Sequence, residues 1–100
     1  MISTGPFRFR VLQRPNLRHP DGRPVDAWLD YRSGVIWLEA GMVGLAQFQA
    51  MCHELGHDWN DRHALGLDEA GVDRLGCALA ELLVRNPGLG LVAARVHGEG

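Results

Sequence analysis

The sequence is poor in the features that mark several large protein classes. Its 100 residues contain no lysine, only two cysteines and no apolar run near the roughly 20 residues that span a bilayer. Cys52 and Cys77 are too few for a disulfide framework and are expected to be small buried thiols. The formal net charge of −2 argues against binding to nucleic acid or membrane surfaces by bulk positive charge.

The N-terminus and the length predict a small cytoplasmic protein. The first ten residues lack the apolar segment of a signal peptide, and a chain of 100 residues is enough for one domain. We therefore expect no partner among membranes or nucleic acids. The core of such a chain is modest, so a bound metal ion would add useful stability.

Three segments predict β-strands. Phe7–Leu12 alternates apolar and basic residues, as in an N-terminal strand. Val25–Tyr31 and Val35–Glu39 are rich in β-branched and aromatic residues, and Arg32–Gly34 supplies the turn of a hairpin at about 25–39. The stretch Pro15–Pro24 is predicted to be a loop because it is rich in Pro, Asn, Asp and Gly.

Beyond Gly41 the apolar residues recur at helical spacing. One predicted helix carries the stripe Leu45, Phe48, Cys52, Leu55 and Trp59, and the next carries Val72, Leu75, Leu79 and Leu82. Asp68 stands at an N-cap position, and Asn86-Pro87-Gly88 is a stop signal. The prediction is an α+β fold, with a small antiparallel sheet packed on an antiparallel helical hairpin. This domain spans residues 1–87, and residues 88–100 are expected to form a flexible tail.

The residues His53-Glu54-Leu55-Gly56-His57 form an HExxH motif on the first predicted helix. Positions i and i+4 share a helix face, so both imidazoles can reach one zinc ion at about 2.0–2.1 Å. Glu54 is rotated by about 100° from His53, so it misses the metal but can accept a proton from a zinc-bound water. The composition gives such a motif by chance in about one sequence in a hundred. The alternative interpretation is two surface histidines on a solvated helix face.

A zinc site of this type needs a third protein ligand. If the hairpin turns near residues 64 and 65, the zinc lies level with about residue 74 of the second helix, which favours Asp73. Glu69 shares that face and has a longer side chain. The alternative for Asp73 is a solvated charge paired with Arg74 or Arg62.

His63 is a further candidate ligand because its spacing matches the metzincin signature HExxHxxGxxH. In that signature the glycine breaks the helix and lets the third histidine return to the metal. Asn60 stands at that position here and tolerates a left-handed turn. The methionine of the metzincin Met-turn follows the motif, however, whereas Met1, Met42 and Met51 all come earlier.

With these residues placed, the chain resembles the ImmA/IrrE family of gluzincin-like zinc metallopeptidases, especially its very small phage-encoded members. The resemblance covers about Ala27 to Pro87 and includes VIWLEAG, AQFQAMCHELGH and LGLDEAGVDRLGCALAELLVRNP. It implies that the strand before the motif helix is a sheet edge and that the second helix carries an acidic ligand. Two features differ from the family. The family often has a Glu ligand in the second helix, whereas position 73 here is Asp, which has a shorter side chain. The larger relatives also carry a helix-turn-helix or a sensor domain, which this chain does not show.

The predicted function is zinc-dependent hydrolysis of peptide bonds, with Glu54 as the general base. A protein or peptide substrate would pair with the edge strand Val35–Glu39 by β-augmentation. Tyr31, Arg62 and His63 are candidates for stabilising the oxyanion, and the sequence does not choose between them.

The alternative function is a non-catalytic, zinc-stabilised module that binds a partner protein such as a repressor or a phage component. A chain of 100 residues has little room for a deep substrate cleft. A fourth protein ligand, for which Cys77 is a candidate, would then take the place of the water. A metal-free protein with a coincidental motif is a third interpretation.

Overall fold

The computed structural model describes residues 2–4 and 6–99, with four strands followed by three helices. The elements are β1 (Ile2–Thr4), β2 (Phe7–Arg14), β3 (Ala27–Asp30), β4 (Val35–Glu39), α1 (Gly44–His63), α2 (Glu69–Arg85) and α3 (Gly88–Glu99). The predicted α+β class and the helical hairpin of α1 and α2 are confirmed. Asp68 is the N-cap of α2, since its Oδ1 accepts a hydrogen bond from the Gly71 N–H at 2.8 Å.

The sheet is mixed, not wholly antiparallel as predicted, and its strand order is β1-β2-β4-β3. β1 pairs antiparallel with β2, and β3 pairs antiparallel with β4. β2 runs parallel to β4, with Val11 opposite Ile36. The loop after β2 leads to β3, which lies on the side of β4 away from β2. The β3–β4 hairpin then reverses the chain, so β4 runs in the same direction as β2.

β4 is therefore a central strand, and the expectation that Val35–Glu39 forms a sheet edge is wrong. Val35, Ile36 and Leu38 are all buried, which suits a strand with neighbours on both sides and apolar contacts on both faces. The edge strand beside the helices is β3 (Ala27–Asp30), because among residues 2–4 and 6–99 β4 is the one strand that pairs with it.

α1 is the central layer of the fold, between the sheet and α2. Its Leu55 joins Phe9, Ala27, Ile36 and Leu38 in one apolar core. On its other side α1 packs against α2, where Cys52, Val72 and Ala80 are buried. Of the predicted stripes, Cys52, Leu55 and Val72 are buried, while the terminal residues Leu45 and Leu82 are exposed.

Two glycines allow α1 and α2 to pack closely. A Cβ at Gly76 would lie 2.9 Å from both the Cα and the N of His53, and a Cβ at Gly56 would lie 3.3 Å from Val72 Cγ1. Any larger residue at position 76 would force the helices apart. This contact brings the first three turns of α2 beside the HExxH segment of α1.

The segment predicted to be a flexible tail forms helix α3 (Gly88–Glu99). Pro87 precedes it, as proline often does at a helix start, and its Leu, Ala and Arg residues have helix propensities that offset the glycines. Residues 88–98 are all exposed. The flexibility of α3 relative to the domain stays a prediction. Within residues 2–4 and 6–99 no single helix has the length and apolarity to cross a membrane. Only α2 and α3 together, bent by 94°, pass that test.

Candidate metal centre

The two histidines of the HExxH motif meet on the face of α1 that is directed to α2. They are one helical turn apart, and their rings lie edge to face with centroids 4.9 Å apart. The two Nε2 atoms are 3.1 Å from each other. Both nitrogen lone pairs are thus available to one small cation, as the spacing of the motif predicts.

Glu69 supplies a carboxylate to the same point from the first residue of α2. Its Oε1 lies 2.8 Å from His53 Nε2 and its Oε2 lies 3.1 Å from His57 Nε2. Bonds of about 2.0–2.1 Å in a tetrahedral zinc site place ligand atoms about 3.3 Å apart. The separations in this cluster are only a few tenths of an ångström shorter, so His53, His57 and Glu69 form a group that could hold a metal ion.

Asp73, the preferred third ligand from the sequence, lies at the other nitrogen of His53. Its Oδ1 is 3.1 Å from Nδ1, whereas Glu69 is at Nε2. A neutral imidazole has a single N–H and can donate to only one of these carboxylates. A metal ion at Nε2 would leave the Nδ1–H for Asp73, which is the usual arrangement around a metal-binding histidine.

His63 stays outside the cluster because α1 does not break at Asn60. The Asn60 side chain instead bonds the Leu67 backbone, with its Oδ1 accepting from the N–H at 2.9 Å and its Nδ2 donating to the carbonyl at 3.0 Å. The left-handed residue that ends the helix is Ala64, with φ of 50°. His63 is the last residue of the helix and is exposed.

Glu54 lies beside this group with its side chain largely enclosed. Burial raises the pKa of its carboxyl above the ordinary value, and the adjacent His57 and His53 act in the opposite direction. A carboxyl with a pKa nearer neutrality accepts and returns protons more readily at physiological pH. Glu54 lines the same pocket as both histidines and is partly buried.

These residues line one wall of a cleft of about 880 Å³. Ala27, Trp28 and Leu29 of the edge strand β3 also line it, as does Cys77, which lies farther along α2. Within the described part of the chain Cys77 does not join the cluster of ligand atoms. The volume of the cleft lies within the range of about 300–1,000 Å³ that is usual for ligand-binding sites.

Tyr31 and Arg62, two of the predicted oxyanion donors, are engaged elsewhere. The Tyr31 hydroxyl donates to Asp58 Oδ1 at 2.8 Å, and Arg62 Nε donates to Asp58 Oδ2 at 2.9 Å. Both line a separate, smaller cavity with Phe7 and Asp61. Burial and the hydrogen bond to Asp58 raise the pKa of the Tyr31 hydroxyl above its ordinary value, so the phenol stays protonated.

Two residues of interest were missed from the sequence. Asp58 is fully buried, and its position three residues after Leu55 on the apolar stripe was a signal of that. His19 lies in the loop between β2 and β3 and also lines the cleft. No local pattern marked it, since its place depends on how the loop folds back over the domain.

Comparisons of the chain with models of protein families, with curated proteins and with solved structures find no match. The interpretation of the site therefore depends on the residues themselves.

Proposed function

We propose that this protein is a zinc-dependent metallopeptidase of the HExxH type, related to the ImmA/IrrE family. The observation that carries the proposal is the convergence of His53, His57 and Glu69 at mutual distances of 2.8–3.1 Å beside Glu54. In this proposal Asp73 holds the orientation of His53 and is not itself a ligand.

Zinc is the metal that the donor set favours. Two imidazoles and one carboxylate are the protein ligands of many catalytic zinc sites, which keep a fourth position open. A zinc ion held by His53, His57 and Glu69 would supply a Lewis acid for a substrate carbonyl and would lower the pKa of a bound water towards about 7. The open cleft beside the cluster gives that position access to a substrate.

Glu54 moves the proton in this reaction. Its carboxylate accepts a proton from the water as the water oxygen bonds to the carbonyl carbon, and it then returns the proton to the leaving amine. The helix holds Glu54 next to His53, so its position relative to the ligands is set by backbone geometry.

The substrate is a protein or peptide bound in extended form along β3. As an edge strand, β3 has one row of backbone donors and acceptors without a strand partner in the sheet, which suits β-augmentation. Met42, Ala46 and Ala50 line the same cleft and offer apolar contacts to a substrate side chain.

One surface supports the alternative function, a non-catalytic zinc-stabilised module that binds another protein. Exposed apolar side chains follow one another at the end of α2 and along α3, which is typical of a protein contact surface. They are Leu82, Leu83, Val84, Leu91, Val92 and Val96. This surface is compatible with both functions. Cleavage of a peptide substrate would distinguish the metallopeptidase from the interaction module.

The test compares Glu54→Gln with wild type in two measurements. Elemental analysis of protein purified without added metal is expected to give about one zinc per chain for both. Hydrolysis of a mixture of fluorescence-quenched peptides is expected only for wild type, because glutamine cannot accept the proton. Equal cleavage by the variant would refute the role of Glu54, and zinc without any cleavage would favour the interaction module.

The matched control is Glu81→Gln. Glu81 is an exposed residue of α2 paired with Arg85 at 3.4 Å and does not line the cleft. The same change of charge there is expected to leave both zinc content and cleavage unaltered.

A further inference from the structure

The loop between β2 and β3 is firmly attached to the domain. The Glu39 carboxylate accepts backbone hydrogen bonds from Asn16 N at 3.0 Å and Leu17 N at 2.9 Å. The Leu17 side chain is buried, and its carbonyl accepts a hydrogen bond from Val25 N at 3.2 Å. Both ends of the loop are thereby held in place beside the cleft.

A tight turn at the tip of this loop carries His19. The His19 N–H donates to the Arg23 carbonyl at 2.9 Å, and the His19 carbonyl accepts from Gly22 N at 2.8 Å. Gly22 has φ of 93°, a conformation that favours glycine. The His19 ring packs edge to face on Trp28 with centroids 5.6 Å apart, and both side chains line the cleft of the metal centre.

Both contacts between His19 and Asp21 are made by Nδ1 of the His19 ring. The Asp21 N–H lies 3.3 Å from Nδ1, and Asp21 Oδ1 lies 3.2 Å from the same nitrogen. A neutral ring whose Nδ1 accepts the N–H must carry its proton on Nε2, and a protonated ring carries protons on both nitrogens. Nε2 presents an N–H in both of these forms, whereas a neutral ring that donated its Nδ1–H to Asp21 Oδ1 would leave Nε2 without a proton. No residue among 2–4 and 6–99 accepts a hydrogen bond from Nε2.

The other donors predicted for the reaction do not reach the cleft. Tyr31 and Arg62 bind Asp58 on another side of the molecule, and His63 does not line the cleft. Arg23 lines it, but its Nε donates to Asp21 Oδ2 at 2.7 Å. His19 also lies near enough to Glu54 to act on its carboxyl electrostatically.

We propose that His19 is a catalytic residue whose Nε2–H donates a hydrogen bond to the carbonyl oxygen of the scissile peptide bond. The inference deepens the metallopeptidase function and depends on it. As the water oxygen bonds to the carbonyl carbon, the π electrons of the carbonyl move onto its oxygen and the proton goes to Glu54. His19 keeps its own proton and stabilises the negative charge on that oxygen.

The expected effect of losing this donor is a lower kcat. Removal of one oxyanion donor costs about 10²–10³-fold in kcat, with a small change in KM because the interaction strengthens only in the transition state. His19→Ala should show this loss, and His19→Gln should recover part of it through its amide N–H. Both variants should bind zinc as wild type does, since His19 is not a ligand.

The experiment measures three properties of zinc-loaded wild type, His19→Ala, His19→Gln and the control His97→Ala. His97 lies exposed on α3. The measurements are zinc per chain, kcat and KM on a fluorescence-quenched peptide cleaved by wild type, and affinity for a phosphinic peptide by calorimetry. The phosphinic group mimics the charged tetrahedral centre, so its affinity should fall in His19→Ala and remain unchanged in His97→Ala.

Each result decides the inference. A His19→Ala variant with wild-type kcat and phosphinic-peptide affinity would overturn the role of His19 and leave the metallopeptidase function standing. A His19→Ala variant that loses zinc would show His19 to be a ligand, which also overturns the inference. Wild type that neither cleaves any peptide nor binds the phosphinic peptide would overturn the proposed function, and the role of His19 with it.

Discussion

Helix α1 carries two polar clusters that differ in burial and in the pairing of their groups. On one side Asp58 is fully buried and accepts hydrogen bonds from Tyr31 and Arg62. On the other side the side chains of His53, His57 and Glu69 are 23%, 38% and 70% exposed. Their basic atoms converge on one another, with both Nε2 atoms directed to the same point.

This difference separates a structural network from a candidate metal-binding site. A buried carboxylate is tolerated only when it is hydrogen-bonded. Here Tyr31 links Asp58 to the turn after β3, while Arg62 lies on α1 itself. Two imidazoles and a carboxylate whose ligand atoms lie 2.8–3.1 Å from one another at an open cleft suit a cation. We therefore expect changes around Asp58 to affect stability and changes around Glu69 to affect metal binding.

The largest predicted effect is that of Asp58→Ala. The variant removes the acceptor of the hydrogen bonds from Arg62 Nε and the Tyr31 hydroxyl, so the free energy of unfolding should fall by about 3–5 kcal/mol. Urea unfolding followed by circular dichroism measures it. Asp61→Ala is the control, since Asp61 is the exposed acidic residue of the same small cavity and should change stability by less than about 0.5 kcal/mol. Equal losses in both variants would contradict the assignment of Asp58 as the centre of the network.

The next largest effect concerns zinc affinity, which Glu69→Ala and Asp73→Ala should lower to different extents. A residue that only orients a ligand contributes about 10–100-fold to metal affinity, and we expect this for Asp73. Loss of Glu69 removes a ligand and should lower affinity by more than about 100-fold. Competition with a chromophoric zinc chelator gives both constants. The opposite order would make Asp73 the ligand, as the sequence alone favoured.

A smaller effect is expected from Gly76→Ala, because its Cβ would lie 2.9 Å from His53 backbone atoms. Overpacking of this kind costs about 1–3 kcal/mol of stability and moves Glu69 and Asp73 away from the histidines. Urea unfolding and zinc affinity should both decrease. Gly90→Ala is the matched control, since a Cβ there meets nothing within 4 Å, and wild-type behaviour of both variants would show that the close approach is unimportant.

The smallest effect is that of Tyr31→Phe, which removes one hydrogen bond to Asp58 and should cost about 1 kcal/mol. Folding raises the pKa of the Tyr31 hydroxyl, so this contribution is fully present below the unfolded-state pKa of about 10. It is lost as the pH rises through the folded-state pKa. The stability difference between wild type and variant should thus be constant from pH 7 to 9 and decrease above about pH 10. A difference that already changes between pH 7 and 9 would contradict this origin.

Much of the fold was predictable because its signals are local. The β3–β4 hairpin, the N-cap at Asp68 and the two amphipathic helices each depend on residues within a few positions of one another. The mixed sheet was not predictable from the sequence, because the pairing of β2 with β4 depends on the path of the loop between β2 and β3. The glycines of α3 predicted a tail, although the Leu, Ala and Arg residues of the same segment favour a helix.

The register of the helical hairpin shows where sequence reasoning about the site ends. The expected pairing of levels was nearly right, since Gly76 lies against His53 and Val72 against Gly56. The prediction favoured Asp73 because it compared only the heights of the two residues along the helix axis and not the lengths of their side chains. The extra methylene of Glu69 lets its carboxylate reach both Nε2 atoms, while the shorter Asp73 reaches only Nδ1 of His53.

The sequence by itself determined the pair of histidines and the adjacent Glu54, because the helical period alone places residues i and i+4 on one face. Only the tertiary structure decided which acidic residue reaches them, which strand is the edge, and that His19 lies across the cleft. These depend on contacts between distant parts of the chain, at Gly76, around β4 and at Glu39. Such contacts follow from close packing and loop anchoring, which no local pattern of residues encodes.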